Sequence, residues 1–184
     1  QYLFIIIKKE SFNIIILKLR ITVGWWMNNQ SRQALWLALA GSIVLMIGMG
    51  YGRFAFTGVL PLMLNEGLLT LHEGNLAASA NYAGYLVGAL LLARVQPGAA
   101  TRLSIISAGL TIASLALLAW VSSPWTIITL RAVAGALSAI TLIAGSLWLL
   151  EHMGHHHGAP LLYAGVGLGI FISAEGIALG HALS

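Results

Sequence analysis

The chain is 184 residues long, 59% hydrophobic and only 8% charged, with a formal net charge of +4. A soluble domain carries roughly 25% charged residues to keep its surface wet, so most of this surface must face something other than water, and lipid is the common candidate. The nine Lys and Arg residues are scattered, which argues against nucleic acid, and the lack of cysteine excludes disulfides, thiolate metal sites and cysteine nucleophiles.

Residues 1–33 read as a cytoplasmic segment. The runs Ile5 to Ile7 and Ile14 to Ile16 are broken by Lys8, Lys9, Glu10, Lys18 and Arg20, and neither approaches the roughly 20 residues a span needs. No Ala-x-Ala-like cleavage site follows, so a signal peptide is not indicated. Met27 is the expected natural start, with residues 1–26 derived from upstream translation or an imprecise gene model. If native, they would lie along the cytoplasmic interface. No function is assigned to them.

Five apolar segments follow, at about 34–64, 76–93, 103–121, 124–150 and 159–182. Each is long enough to cross a hydrocarbon core about 30 Å thick. None shows the alternation of a membrane barrel, so helices are expected: an all-α, polytopic membrane helix bundle. The loops orient it. Five of the nine basic residues, Lys8, Lys9, Lys18, Arg20 and Arg32, precede the first span, and Arg94 and Arg102 flank the second loop. Basic loops stay cytoplasmic. The Asn65–Asn75 loop has no Lys or Arg and is placed outside, Ser122–Ser123 makes a tight outer hairpin, and Glu151–Gly158 is placed inside on weaker grounds. The expected location is a plasma membrane, the bacterial inner membrane, with the N-terminus cytoplasmic.

Ionisable residues inside spans default to functional hypotheses. At about 1.5 Å of rise per residue, Arg53 lies about 28 Å from the cytoplasmic end of its span, Glu175 about 24 Å from the inner end of its own, Arg131 about 10 Å below the outer end, and Asn81 and Tyr82 about 8 Å. All fall in the outer half. The reading is a polar layer around a substrate cavity formed by Arg53, Tyr51, Asn81, Tyr82, Arg131 and Glu175. Its surplus positive charge suits an anionic or zwitterionic small molecule, and Glu175 is the candidate proton acceptor. The plainer reading has Arg53 snorkelling outward and Arg131–Glu175 as a structural pair.

Small residues at four-residue spacing supply helix packing. Gly48 and Gly52, Gly84 and Gly88, and Gly165 and Gly169 each predict one shared face. His152 and the run His155 to His157 read as a polar interfacial loop, because tandem histidines do not converge on one ion. Neither a metal nor a cofactor is expected.

Three stretches carry a family resemblance. Gly48-Met-Gly-Tyr-Gly-Arg-Phe-Ala-Phe-Thr-Gly-Val-Leu-Pro-Leu-Met63 resembles the first helix of the YbfB/YjiJ-like uncharacterised branch of the major facilitator superfamily (MFS). Ala80-Asn-Tyr-Ala-Gly-Tyr-Leu-Val-Gly88 and Tyr163-Ala-Gly-Val-Gly-Leu-Gly-Ile170 extend it. Arg131-x-x-x-Gly135-x-x-x-Ala139 is similar to the superfamily's fourth-helix arginine motif. The resemblance implies a secondary active transporter of two six-helix halves working by alternating access. Here the first five helices of one half would be present, as a truncated N-terminal fragment whose C-terminal half is missing. It also implies that Arg131 and Gly135 face the cavity, with Gly135 in helix packing. One departure stands out: Ala93-Arg94-Val95-Gln96-Pro97-Gly98 lacks the acid of the superfamily's usual loop between the second and third helices, so the standard cytoplasmic charge relay does not carry over. Two other classes compete. A membrane-embedded enzyme or haem protein would need paired histidines within spans, and only His181 sits near one. A non-catalytic membrane assembly subunit would use the glycine faces as its interface.

Overall fold

The computed structural model describes the backbone of residues 32–183 and side chains through residue 180. The expected cytoplasmic segment up to residue 31, Met27 included, lies outside the described residues, as does the side chain of His181. Five helices follow in chain order: α1 (Arg32–Asn65), α2 (Leu71–Leu92), α3 (Ala100–Leu118), α4 (Pro124–His152) and α5 (Ala159–Leu183). No strand occurs among the described residues, and the all-α membrane bundle expected from composition is the observed architecture. Residues 37–184 hold the bundle as one unit.

Helix ends follow local chemistry. The first helix stops at Gly67, whose φ of +70° favours glycine; there Leu68 N–H reaches back to Met63 O at 2.9 Å and Gly67 N–H to Leu64 O at 3.2 Å, occupying terminal carbonyls. The next begins with a capping box. Thr70 Oγ1 accepts from Glu73 N–H at 3.3 Å, and the Glu73 carboxylate accepts from Thr70 N–H at 2.8 Å. That box starts α2 at Leu71 rather than at the Leu76 expected from hydropathy. Among the described residues, four helical segments are long and apolar enough to span a membrane, and α2 is not one of them. Its 22 residues reach about 33 Å, but His72, Glu73, Asn75 and Asn81 dilute its hydropathy. Pro124 sits at the first position of α4, where a missing N–H costs nothing.

Contacts between helices run through small residues. Lipid offers apolar surface as good as leucine, so close backbone approach and hydrogen bonds carry association. On α2 and α4, a Cβ at Gly84 would strike Ala132 O, one at Gly88 would strike Ala136 O, and one at Gly135 would strike Asn81 O. On α5, Gly165 abuts Ser42 O and Gly169 abuts Met46 O of α1. Between α3 and α4, Ser107 Oγ and Thr141 Oγ1 share a buried hydrogen bond of 2.8 Å. Two apolar clusters close the ends: Phe56, Met63, Leu69, Ala77 and Ile127 near the α1–α2 loop, and Ala38, Leu45, Leu149 and Leu162 near the α4–α5 loop.

The centre of α1 departs from the sequence reading. Met46–Tyr51 winds as a π-helical turn, which widens the spacing between faces. Gly48 therefore meets Thr141 of α4, Gly50 meets Val166 O and the Gly169 backbone of α5, and Gly52 meets the Thr111 methyl of α3. Gly48 and Gly52 both look onto the α3–α4 seam, where Ser107 bonds Thr141 through its hydroxyl and Thr111 through its carbonyl, while Gly50 faces α5. Arg53 is carried on the next turn.

Candidate functional site

The polar centre assembles where α1, α2 and α4 meet. The Gly84–Gly88 and Gly135 contacts draw α2 against α4 closely enough that Asn81 Nδ2 donates to Arg131 O at 2.9 Å. From α4, Arg131 crosses to α1: its Nη2 donates to Arg53 O at 3.2 Å, and its guanidinium carbon lies 4.4 Å from the centre of the Phe56 ring. Arg53 itself lies over two rings of α2, 4.5 Å from Tyr85 and 4.9 Å from Tyr82. Arg53, Asn81, Tyr82 and Arg131 line one cavity of about 150 Å³, with Phe54, Phe56 and Leu60 supplying apolar wall.

The electrostatics are one-sided. Arg131 is 3% exposed, and its Nε and Nη1 have no hydrogen-bond partner. No acid among the described residues forms an ion pair with it. A desolvated cation–π contact contributes about 2 kcal/mol, whereas burying an ion costs several. The ring and one carbonyl therefore leave the guanidinium short of compensation.

Not all expected site residues gather here. Tyr51 lines a neighbouring cavity of about 390 Å³ between α1 and α3, separated by Phe56 and walled mostly by apolar side chains, with Glu66 on its lining. Glu175 is exposed and makes no hydrogen bond or ion pair among the described residues. The Arg131–Glu175 pair of the plainer reading does not form among the described residues. Helix geometry explains why: α5 turns Gly165, Gly169 and the buried Ser173 toward α1, and Glu175 lies about 200° further round the helix from Ser173. Its height is close to that of Arg53, since Ile177 packs 2.6 Å from the Cβ position of Gly58, but its direction is opposite.

Tyr85 and Phe56 were not singled out by sequence. A signal existed for both. Tyr85 follows Asn81 and Tyr82 by four and three residues, and Phe56 follows Arg53 by three, spacings that put side chains on one helical face.

The histidine loop is a separate feature. His155 is half-buried, its Nε2 lacks a partner, and burial, then the neighbouring His157 and His156, hold its pKa below the ordinary value. Among the described residues, no group of three or more His, Cys, Asp or Glu side chains is placed to hold a metal ion.

Comparison with known proteins matches the chain to a family. The sequence model of the family described as "Uncharacterised MFS-type transporter YbfB" covers residues 45–184. No curated protein and no solved structure matches the chain.

Proposed function

Because the chain belongs to the family of the uncharacterised MFS-type transporter YbfB, a family of multi-pass membrane transporters, we propose that it takes part in secondary active transport of a small molecule through the cavity between α1, α2 and α4. One observation supports this reading above the others: a buried guanidinium, Arg131, lines that cavity with two nitrogens unpartnered. A purely structural arginine in an apolar bundle is normally paired. Arg53, held over Tyr82 and Tyr85, adds a second positive charge to the same wall. Loop charges favour a cytoplasmic N-terminus in a bacterial inner membrane.

Glu175 is the candidate coupling group. On the exposed side of α5, at the height of the arginine layer, its carboxylate is open to exchange a proton with water or with helices packed against that side. The rival reading, an assembly subunit joined through glycine faces, has less support: Gly84, Gly88, Gly135, Gly165 and Gly169 are occupied by neighbours within the chain.

The test is uptake by the full-length protein in proteoliposomes against a panel of anionic, zwitterionic, neutral and cationic solutes. Arg53→Ala and Arg131→Ala should abolish uptake of the solute found, and Glu175→Gln should remove its pH-dependence before it weakens binding. Normal uptake by all three variants would exclude the cavity as the route.

A further inference from the structure

We infer that the cavity between α1, α2 and α4 recognises a small monocarboxylate, with the carboxylate on Arg131 and a short apolar tail against Phe54, Phe56 and Leu60. This deepens the transport reading above and rests on it. A guanidinium has five N–H groups; on Arg131 the single N–H of Nε and both of Nη1 have no acceptor, although the side chain is 3% exposed. Nε and Nη1 lie on different edges of the guanidinium, so an oxyanion takes its hydrogen bonds from one edge at a time.

Charge comes next. The described carboxylates are all elsewhere. Glu66 lines the neighbouring cavity, Glu73 caps α2, Glu151 lines a cavity between the ends of α4 and α5, and Glu175 points away. Arg131 donates instead to a neutral carbonyl, that of Arg53. The anion must therefore arrive with the ligand.

Size and wall polarity narrow the class. A cavity of about 150 Å³ is the volume that holds benzene in a well-known engineered case, so about six non-hydrogen atoms fit. Phe54, Phe56, Leu60 and Ala78 form an apolar side to the same space. Inorganic phosphate has nothing to place there, and a short-chain carboxylate has. Arg53 lies face-on to Tyr82 and Tyr85, which holds its charge beside the site without moving it onto the ligand.

The test is calorimetric titration of the full-length protein in neutral detergent with propionate, and with propionamide, which has the same shape and no charge. Propionate should bind and propionamide should not. Arg131→Gln should weaken propionate by about tenfold or more, the loss expected for hydrogen bonds to a charged group, and Arg131→Lys should fall between. Thr57→Phe, at an exposed position on the cavity lining, keeps the arginine and should block propionate by filling the space. Equal binding of propionate and propionamide, or an Arg131→Gln variant within about twofold of the parent, overturns the proposal. Phosphate displacing propionate at lower concentration overturns the carboxylate assignment. The two readings separate cleanly. Uptake of a neutral or cationic solute without propionate binding leaves transport standing and removes this inference, whereas propionate binding through Arg131 with no solute moved does the reverse.

Discussion

Arg131 and Arg53, 78 residues apart in sequence, are joined by a hydrogen bond in which the guanidinium of one serves the backbone of the other: Nη2 to carbonyl oxygen, 3.2 Å. Two like charges are thereby held on one cavity wall without an acid between them. Replacing a buried ion pair by apolar side chains of similar volume is often neutral or stabilising by about 1–4 kcal/mol, and a buried charge with no ion-pair partner has still less attraction to lose. Arg131→Met should therefore unfold at the same or a higher temperature in detergent while losing function. Asn81 bonds the Arg131 backbone carbonyl, so that contact survives the substitution. A lower melting temperature for Arg131→Met would show instead that the guanidinium is a structural strut.

The α2–α4 seam should tolerate no side chain. A Cβ at Gly84 would collide with Ala132 O and one at Gly135 with Asn81 O, both backbone atoms that cannot swing aside. Gly84→Ala and Gly135→Ala should each destabilise the bundle by the upper part of the roughly 1–3 kcal/mol typical of overpacking. Gly109 on α3 has open space around its Cβ position, and Gly109→Ala should be neutral or stabilising by up to about 1 kcal/mol. Melting temperatures of the three variants in one detergent decide the matter. Similar losses at all three positions would mean that the α2–α4 seam is no tighter than the open face of α3.

Composition and periodicity made the helices legible because lipid leaves little choice: a long apolar run must satisfy its backbone internally. Ranges for α4 and α5 follow from Pro124 and from the loop before Ala159. The start of α2 was harder, since hydropathy measures burial in lipid and the Thr70–Glu73 box is a local hydrogen-bond device that hydropathy does not register. Arg53, Asn81, Tyr82 and Arg131 could be grouped by depth alone because rise per residue is fixed. Depth carries no azimuth, however. Glu175 shares the level and faces away, and Tyr51 opens onto the neighbouring cavity. The π turn at Met46–Tyr51 was invisible for the same reason: it changes how faces are spaced, and no residue type announces it.

The capping box makes the start of α2 sensitive to acid. Glu73 accepts from the Thr70 backbone and then from its hydroxyl, which holds its carboxyl below the ordinary 4.5. The folded value lies under the unfolded one, so the cap's contribution is complete above about pH 4.5 and disappears as pH falls through the lower, folded value. Protection of the Glu73 and Gly74 amides, taken relative to their intrinsic exchange rates, should fall over that window. Thr70→Ala should exchange fast at every pH, since its hydroxyl no longer accepts from Glu73 N–H. Undiminished protection of these amides at every pH in Thr70→Ala would show that the turn is held by something else.

The His155 loop should respond to acid in a higher range. Burial first, then His157 and His156, hold the His155 pKa below its ordinary 6.5. For a base, a folded value beneath the unfolded one means that the unfolded form takes up more protons between the two. The loop's stability is thus complete above about pH 6.5 and declines as pH falls from there toward the folded value. His155 N–H bonds Leu149 O at 3.0 Å and Met153 N–H bonds Trp148 O at 2.9 Å, so opening the loop should alter Trp148 fluorescence. His155→Gln should remove the fluorescence change between pH 7 and the folded midpoint, because no proton is then taken up at that position. His152 is exposed, and His152→Gln should leave the titration as it is. If His152→Gln abolishes the transition and His155→Gln does not, the buried imidazole is not its source.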